Sequence, residues 1–176
     1  MILTSGSLII AEVGTGPDGN AKGKAMITQI SALLVYDQAD PLRMLKASLQ
    51  VPGVKLRKAR TCAAARRLIS GPKPPELVFT DVQLADGDWS EVVRLAQSAR
   101  APVNVIVVSR LVDIPLYVET IQQGAFDFIT PPFEPSDLAY VIRCAASNVL
   151  ERREIEARTQ HSPQRVLAPL AFHAIH

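Results

Sequence analysis

The sequence predicts an α/β domain in which a parallel sheet lies between two layers of helices. Apolar runs of strand length alternate strictly with segments of helical period, and five such strand–helix units follow one another in the 176-residue chain. Parallel strands need crossover connections, usually helices that cover a face of the sheet, so this alternation indicates parallel strands. The hydrophobic residues, 48% of the chain, are chiefly Ala, Val, Leu and Ile. This composition suits a Val- and Ile-rich sheet under Ala- and Leu-rich helices.

Five segments are predicted to form the strands of this sheet. The first, third and fourth are continuous apolar runs, as expected of strands that are buried on both faces. The second alternates apolar with basic residues and is expected to be more exposed, and the fifth is short. The predicted strands are residues 30–36, 53–59, 77–80, 103–109 and 126–130.

Each predicted strand is followed by a predicted helix. The first helix is expected to start at Asp40, an N-cap acid that precedes Pro41 at the first helical position. The fourth is expected to stop at Gly124, and the last presents one apolar face. The other helices are predicted to begin at Thr61, at about residue 89, at Asp113 and at Ser136, and the apolar face of the last comprises Leu138, Val141, Ile142, Ala145 and Val149.

The folded domain is predicted to cover residues 28–157. Residues 1–27 have no apolar period and contain many glycines, so they are predicted to form a disordered extension, and residues 158–176 a disordered tail. Whether residues 1–25 are translated, or follow a misassigned start codon, is left open. The apolar runs are too short to span a bilayer, and no basic segment marks a secretory signal. Cys62 and Cys144 lack metal-ligand spacing and are expected to be reduced thiols of a cytoplasmic protein.

Polar groups follow the predicted strands at equivalent positions. Asp37 follows the first strand, Asp81 the third and Ser109 the fourth, and a Thr-Pro-Pro turn that contains Pro131 follows the fifth. In open parallel sheets, ligands and chemistry gather beyond the carboxyl ends of the strands. We therefore expect these groups to form one site. Asp86 and Asp88 are interpreted as loop-forming residues around Gly87, although either could approach a bound ion through water.

These segments resemble the receiver domain of two-component response regulators. The resemblance covers residues 31–150 and rests on four pieces in the family's order: LLVYD (33–37), LVFTDVQLADGDW (77–89), VIVVS (105–109) and GAFDFITPPF (124–133). It implies a flavodoxin-like (βα)5 three-layer sandwich whose parallel sheet has the strand order 2-1-3-4-5.

The resemblance also implies a chemistry for the strand ends. In the family, a histidine kinase donates a phosphoryl group to the aspartate after the third strand, which is Asp81 here. A carboxylate is a weak nucleophile and needs a divalent cation. By resemblance, Asp37, Asp81 and the backbone carbonyl of Gln83 would hold Mg²⁺. Ser109 matches the hydroxyl that hydrogen-bonds the phosphoryl group, and Phe128 the aromatic residue whose rotamer reports the switch.

Two positions depart from the family's pattern. Tyr36 stands where the first acid of an acidic pair is normal, so Mg²⁺ binding is expected to be weak. Pro131 replaces the lysine that would bring a positive charge to the phosphorylated state. Pro132 keeps the family's proline, whose preceding peptide bond is commonly cis. The fold is expected to be kept while the switch chemistry is reduced.

Two functional hypotheses follow, neither of them enzymatic. In the first, the chain is a single-domain receiver that takes a phosphoryl group from a histidine kinase or phosphotransfer protein. It then contacts a downstream protein, or a second copy, through the face formed by the fourth helix, fifth strand and fifth helix. In the second, it is a phosphorylation-independent pseudo-receiver that serves as a constitutive interaction or dimerisation module. The small net charge of +2 and the short segment after the last helix predict no direct contact with nucleic acid. A small enzyme is disfavoured, because no Gly-rich phosphate loop follows the first strand.

Overall fold

The computed structural model describes residues 29–37, 45–46, 49 and 53–161. Five strands form one parallel sheet: β1 (Ile30–Val35), β2 (Val54–Ala59), β3 (Leu77–Asp81), β6 (Asn104–Val108) and β7 (Asp127–Ile129). Two short strands, β4 (Gln83–Leu84) and β5 (Gly87–Asp88), form a separate hairpin. The order of the five strands in the sheet is β2-β1-β3-β6-β7, which is the predicted order 2-1-3-4-5 when these five alone are counted.

Four helices are described in full, and they follow the predicted alternation. They are α1 (Cys62–Ile69), α2 (Trp89–Gln97), α3 (Ile114–Gln122) and α4 (Pro135–His161). The side chain of Thr61 caps α1 by accepting a hydrogen bond from Ala64 N, and Asp113 caps α3 in the same way. The predicted helix that starts at Asp40 lies almost wholly outside the described residues, as do both predicted disordered termini apart from residues 158–161. Within the described residues, no helix is long and apolar enough to cross a bilayer.

The central strands bury side chains on both faces of the sheet. Along β1, for example, Ala32 and Leu34 join one apolar cluster, whereas Leu33 and Val35 join the other. This follows from the period of two in a strand, and burial on both sides explains why the sequence shows continuous apolar runs rather than alternation. The apolar face of α4 covers the first cluster, and α1 and α2 cover the second. Edge strand β2 carries exposed basic side chains, which protect an edge from unwanted pairing.

Some boundaries and one element differ from the prediction. A hairpin of β4 (Gln83–Leu84) and β5 (Gly87–Asp88) occupies the segment that was expected to be a loop. Helix α4 begins at Pro135 rather than at Ser136, because a proline suits the first helical position, where no backbone donor is needed. Helix α4 continues to His161, past the predicted end of the domain at residue 157.

Polar contacts at the amino edge of the sheet fasten the second half of α4. Arg153 forms a salt bridge with Glu76, and the side chains of these two residues are only 21% and 15% exposed, respectively. Arg153 also donates to the carbonyl oxygens of Pro102 and Pro75, at 2.9 and 2.8 Å. The other Glu76 carboxylate oxygen accepts from Ser31 N at 2.7 Å. The charged half of α4 is therefore anchored to the loops before β3 and β6 and to the start of β1.

Candidate functional site

A cavity of about 730 Å³ opens at the carboxyl edge of the sheet, where β1, β3 and β6 end. Four of the predicted site residues line it together: Asp37, Asp81, Gln83 and Ser109. The strand ends converge because the sheet is parallel, and Asp81 at the end of β3 lies opposite Val108 at the end of β6. Asp37, Asp81 and Ser109 thus share one cavity, whereas the Thr-Pro-Pro turn that was expected beside them does not line it.

Asp81 is half-buried at the end of β3. Burial raises the pKa of its carboxyl above the ordinary value, because desolvation disfavours the charged form. Backbone N–H groups of Val82 and Gln83 act in the opposite direction, and Val82 N lies 2.8 Å from Asp81 Oδ1. The positive charge of Arg110 also lowers the pKa. The carboxylate is thus partly stripped of water, and it is held by donors on one side.

Ser109 lies one residue beyond β6 and is buried. Its backbone N–H donates to the carbonyl of Ile129 at 3.0 Å, which ties the end of β6 to β7. Its Oγ accepts from Leu111 N at 3.3 Å and so shapes the turn that follows. The hydroxyl hydrogen is not engaged in that bond and can be donated to an oxygen in the cavity.

The hairpin that contains Gln83 is held by two aspartates with structural contacts of their own. Asp86 accepts from the first backbone N–H groups of α1, Cys62 N at 2.6 Å and Ala63 N at 3.0 Å. The bond from Ala63 N, which is the main cause, and the bond from Cys62 N lower the pKa of the Asp86 carboxyl. Asp88 caps α2 by accepting from Ser90, whose side chain is the main cause of the lowered pKa of Asp88. Neither carboxylate lines the cavity.

Gly87, the first residue of β5, is required by close packing. A Cβ placed there would lie 2.9 Å from Cys62 Sγ and 2.8 Å from a Glu91 carboxylate oxygen. The hairpin therefore presses directly against the start of α1. This contact and the Asp86 bonds fix the segment that carries Gln83.

The remaining predicted residues lie outside the cavity lining. Phe128, on β7, is half-buried and packs edge-on against Tyr117 of α3, with ring centroids 6.0 Å apart. Tyr36 follows β1 and packs against the apolar cluster under α4. Pro131 and Pro132 are joined by a cis peptide bond, the geometry that the resemblance implies for this turn. None of these four side chains is charged at neutral pH, so none of them adds a positive charge near Asp81.

A sequence model of the response regulator receiver domain matches residues 32–143. The chain belongs to the response regulator receiver domain family. It is 28% identical over 108 residues to the photosynthetic apparatus regulatory protein RegA of Rhodovulum sulfidophilum, covering 61% of this chain and 58% of RegA. It is 28% identical over 114 residues to the response regulator protein PilR of Pseudomonas aeruginosa, covering 65% of this chain and 25% of PilR. The matched region is thus less than two thirds of either relative.

Solved structures agree on the fold of this receiver. NtrX from Brucella abortus superposes with a TM-score of 0.63 at 26% identity, over 73% of this chain and 29% of that chain. A response regulator receiver domain protein from Clostridium thermocellum gives a TM-score of 0.58 at 19% identity, over 68% of this chain and 95% of that chain.

Receiver domains generally bind Mg²⁺ at the phosphorylation site, and the donors of this receiver fit that ion in kind. Asp37 and Asp81 supply two carboxylates to one cavity, which is the number that Mg²⁺ often takes from a protein when waters and a phosphate oxygen complete its octahedron. Gln83 lines the same cavity and can add its backbone carbonyl. No three His, Cys, Asp or Glu side chains gather as a metal-binding group within the described part of the chain. Asp37, Asp81 and Gln83 offer the oxygen ligands that Mg²⁺ prefers, but only two of them carry a negative charge.

Sequence reasoning missed two charged residues of the cavity lining, Arg110 and Asp113, and predicted the second only as a helix cap. Arg110 lines the cavity directly after Ser109. Its position next to a strand end was a usable signal. The sequence alone could not indicate whether its long side chain faces Asp81 or bulk water.

Proposed function

We propose that this receiver accepts a phosphoryl group on Asp81 from a phosphohistidine of a histidine kinase or phosphotransfer protein. A carboxylate oxygen of Asp81 attacks the phosphorus atom and forms a C–O–P acyl phosphate bond. The N–P bond of the phosphohistidine breaks, and its electron pair stays on the ring nitrogen. No other reactant is needed, so the chain's task is to position the two groups and balance their charges.

The observation that supports this proposal most strongly is the shared cavity of Asp37, Asp81 and Ser109. Asp81 is desolvated enough for its pKa to rise, and a poorly solvated carboxylate is a better nucleophile than one in bulk water. Ser109 lines the same cavity as Asp81, and its hydroxyl can donate a hydrogen bond to a phosphoryl oxygen there.

Asp37, Asp81 and the Gln83 carbonyl would hold Mg²⁺, with low affinity because Tyr36 contributes no second acid after β1. When bound, Mg²⁺ neutralises part of the negative charge that gathers when a carboxylate meets a phosphoryl group. The Ser109 hydroxyl and the backbone N–H of Val82 then orient the oxygens around Asp81.

The output would pass through protein contacts on the face formed by α3, β7 and α4. This is the predicted surface of the fourth helix, fifth strand and fifth helix. Large hydrophobic side chains are exposed there, which is a feature of docking surfaces. They are Tyr117, Val118, Ile121 and Tyr140. A downstream protein or a second copy of the chain could cover them.

The alternative, a phosphorylation-independent interaction module, is favoured by Tyr36 and Pro131, which remove an acid and a cation from the family's site. The two functions differ in one experiment. The purified chain is incubated with acetyl phosphate and Mg²⁺, and the acyl phosphate is detected by intact mass, with Asp81→Asn as the control. Incorporation that Asp81→Asn abolishes supports the receiver. Absence of incorporation, together with no detectable Mg²⁺ binding, favours the alternative.

A further inference from the structure

The charges that line the cavity are unevenly distributed. Three lining residues are acids, Asp37, Asp81 and Asp113, and Arg110 is the only cation among the described lining residues. The Asp113 carboxylate already accepts from Leu116 N at 2.9 Å as the cap of α3. A phosphoryl group on Asp81 would add further negative charge to this space. Bound Mg²⁺ would offset part of this charge, and a cationic side chain could offset more, but the turn at Pro131 supplies none.

Arg110 has the surroundings of a group that is available for a ligand. Its side chain is exposed and forms no hydrogen bond or salt bridge with the part of the chain that the structure describes. The preceding residue, Ser109, is buried and fixed to β7, so the backbone at this position is anchored. The bond from Leu111 N to Ser109 Oγ holds the turn through Arg110 at the cavity mouth. Arg110 and Asp81 line the same cavity, so the guanidinium shares the space that a phosphoryl group on Asp81 would enter.

We propose that Arg110 binds the phosphoryl oxygens on Asp81 and supplies, from the end of β6, the positive charge that a lysine at position 131 would supply from the end of β7. This inference rests on the phosphoryl-acceptor function proposed above. A guanidinium suits the role because its planar set of donors can bind two phosphate oxygens at once. Arg110 is a binding and positioning residue here, and the nucleophile remains Asp81.

A positive charge at the end of β6 instead of β7 would shift the conformational response to phosphorylation to a different turn. A lysine after β7 would pull on the turn that leads into α4, whereas Arg110 pulls on the turn between β6 and α3. Leu111 and Val112 lie in that turn and are 76% and 74% exposed. A phosphoryl group held by Arg110 would therefore reposition two apolar side chains at the mouth of the site and the start of α3, and would act only weakly on β7.

The test uses beryllofluoride, a phosphoryl analogue that binds aspartate carboxylates together with Mg²⁺, and follows amide NMR signals of the full chain. Arg110→Ala is expected to weaken analogue binding roughly tenfold. This value is at the low end of the effect of losing one charge-assisted hydrogen bond, because the Arg110 side chain is exposed. Arg100→Ala is the matched control, since it removes the same charge from an exposed position outside the cavity lining. It should leave analogue binding unchanged.

Two further readouts separate a charge contact from a general structural effect. Mg²⁺ alone should bind Arg110→Ala at least as tightly as the unmodified chain, because a like charge near the ion has been removed. In the Arg110→Ala background, Pro131→Lys should recover affinity for the analogue and move the shifted signals from residues 109–116 to β7 and the start of α4.

The outcomes distinguish this inference from the function on which it rests. If the unmodified chain binds no analogue at Asp81, the acceptor function falls and the inference falls with it. If Arg110→Ala binds the analogue as well as Arg100→Ala does, the inference is wrong and the acceptor function stands. Weaker binding of both the analogue and Mg²⁺ would also overturn the inference, since a damaged site would then be the cause.

Discussion

Replacing Arg153 by alanine should destabilise the receiver far more than the same replacement five residues further along α4. Arg153 joins the Glu76 carboxylate and three backbone carbonyls, those of Pro74, Pro75 and Pro102, at a site where both charged side chains are mostly buried. The variant would leave the Glu76 charge with Ser31 N as its described hydrogen-bond donor. A hydrogen bond to a charged group contributes about 1.5–3 kcal/mol, and leaving a buried charge unpaired costs about 3–5 kcal/mol. Because this pair is only partly buried, we expect a loss of about 2–4 kcal/mol in the free energy of unfolding.

Arg158 provides the matched control. It pairs with Glu154 on the exposed side of the same helix, with side chains 75% and 54% exposed. Such exposed pairs four residues apart contribute about 0.3–0.5 kcal/mol, so the loss of this pair in Arg158→Ala should cost far less than the loss of the Arg153 contacts. Both substitutions replace the same residue type in one helix, and helix propensity therefore cancels between them.

The assay is urea denaturation followed by circular dichroism, with the free energies extrapolated to water. Glu76→Gln removes the charge but keeps an acceptor for Ser31 N, and should cost about 1–2 kcal/mol. The double variant with Arg153→Ala should cost less than the sum of the two single variants, by about 1 kcal/mol or more, because the two residues are in contact. Equal losses for Arg153→Ala and Arg158→Ala would refute the anchoring role.

Three other predictions concern the carboxyl edge. Mg²⁺ titration should give weak binding that Tyr36→Asp strengthens by adding a second acid after β1; tight binding by the unmodified chain, lost in Asp37→Asn, would contradict this. Amide signals of β7 and of the start of α4 should move little when the phosphoryl analogue binds, and Pro131→Lys should enlarge those shifts; large shifts in the unmodified chain would count against the missing lysine as the cause. The pKa of Asp86 is lowered in the folded state, so its stabilising effect is present above the ordinary carboxyl value of 3.8 and is lost as pH falls below it. Asp86→Asn should therefore lower the melting temperature at pH 7 and narrow the difference in melting temperature between pH 7 and pH 3. An unchanged difference would argue against a stabilising role for the bonds from Cys62 N and Ala63 N to Asp86.

The sequence was sufficient for the fold because the relevant signals are local. Thr61 and Asp113 cap the helices they precede, and a capping bond spans only three residues of chain. The apolar runs of β1, β3 and β6 indicated strands buried on both faces, and their ends located the site. Each of these inferences needed only neighbouring residues and a rule for how parallel strands are connected.

The contacts that the sequence could not reveal join distant parts of the chain. Asp86 bonds the start of α1 across 24 positions, and Arg153 reaches Glu76 across 77. In the sequence, Asp86 is only an acid in a polar turn, and Arg153 is only one of many charged residues on a helix. The short strands β4 and β5 form because the loop is pinned in this way, and their residues show no strand pattern. Arg110 was missed for a related reason, since a neighbour in sequence does not fix the direction of a flexible side chain.

The hairpin of β4 and β5 separates the shape of the candidate ion site from its charge. Its two aspartates and Gly87 hold the backbone at Gln83 through contacts with α1 and α2 that do not depend on Tyr36. Tyr36 in place of an acid therefore lowers the charge of the candidate ion site without altering the contacts that hold the backbone at Gln83. A preordered site binds without a further ordering cost once its ligands are restored. Tyr36→Asp could then strengthen ion binding without any change to the scaffold, whereas the charge missing at Pro131 is a separate deficit at the end of another strand.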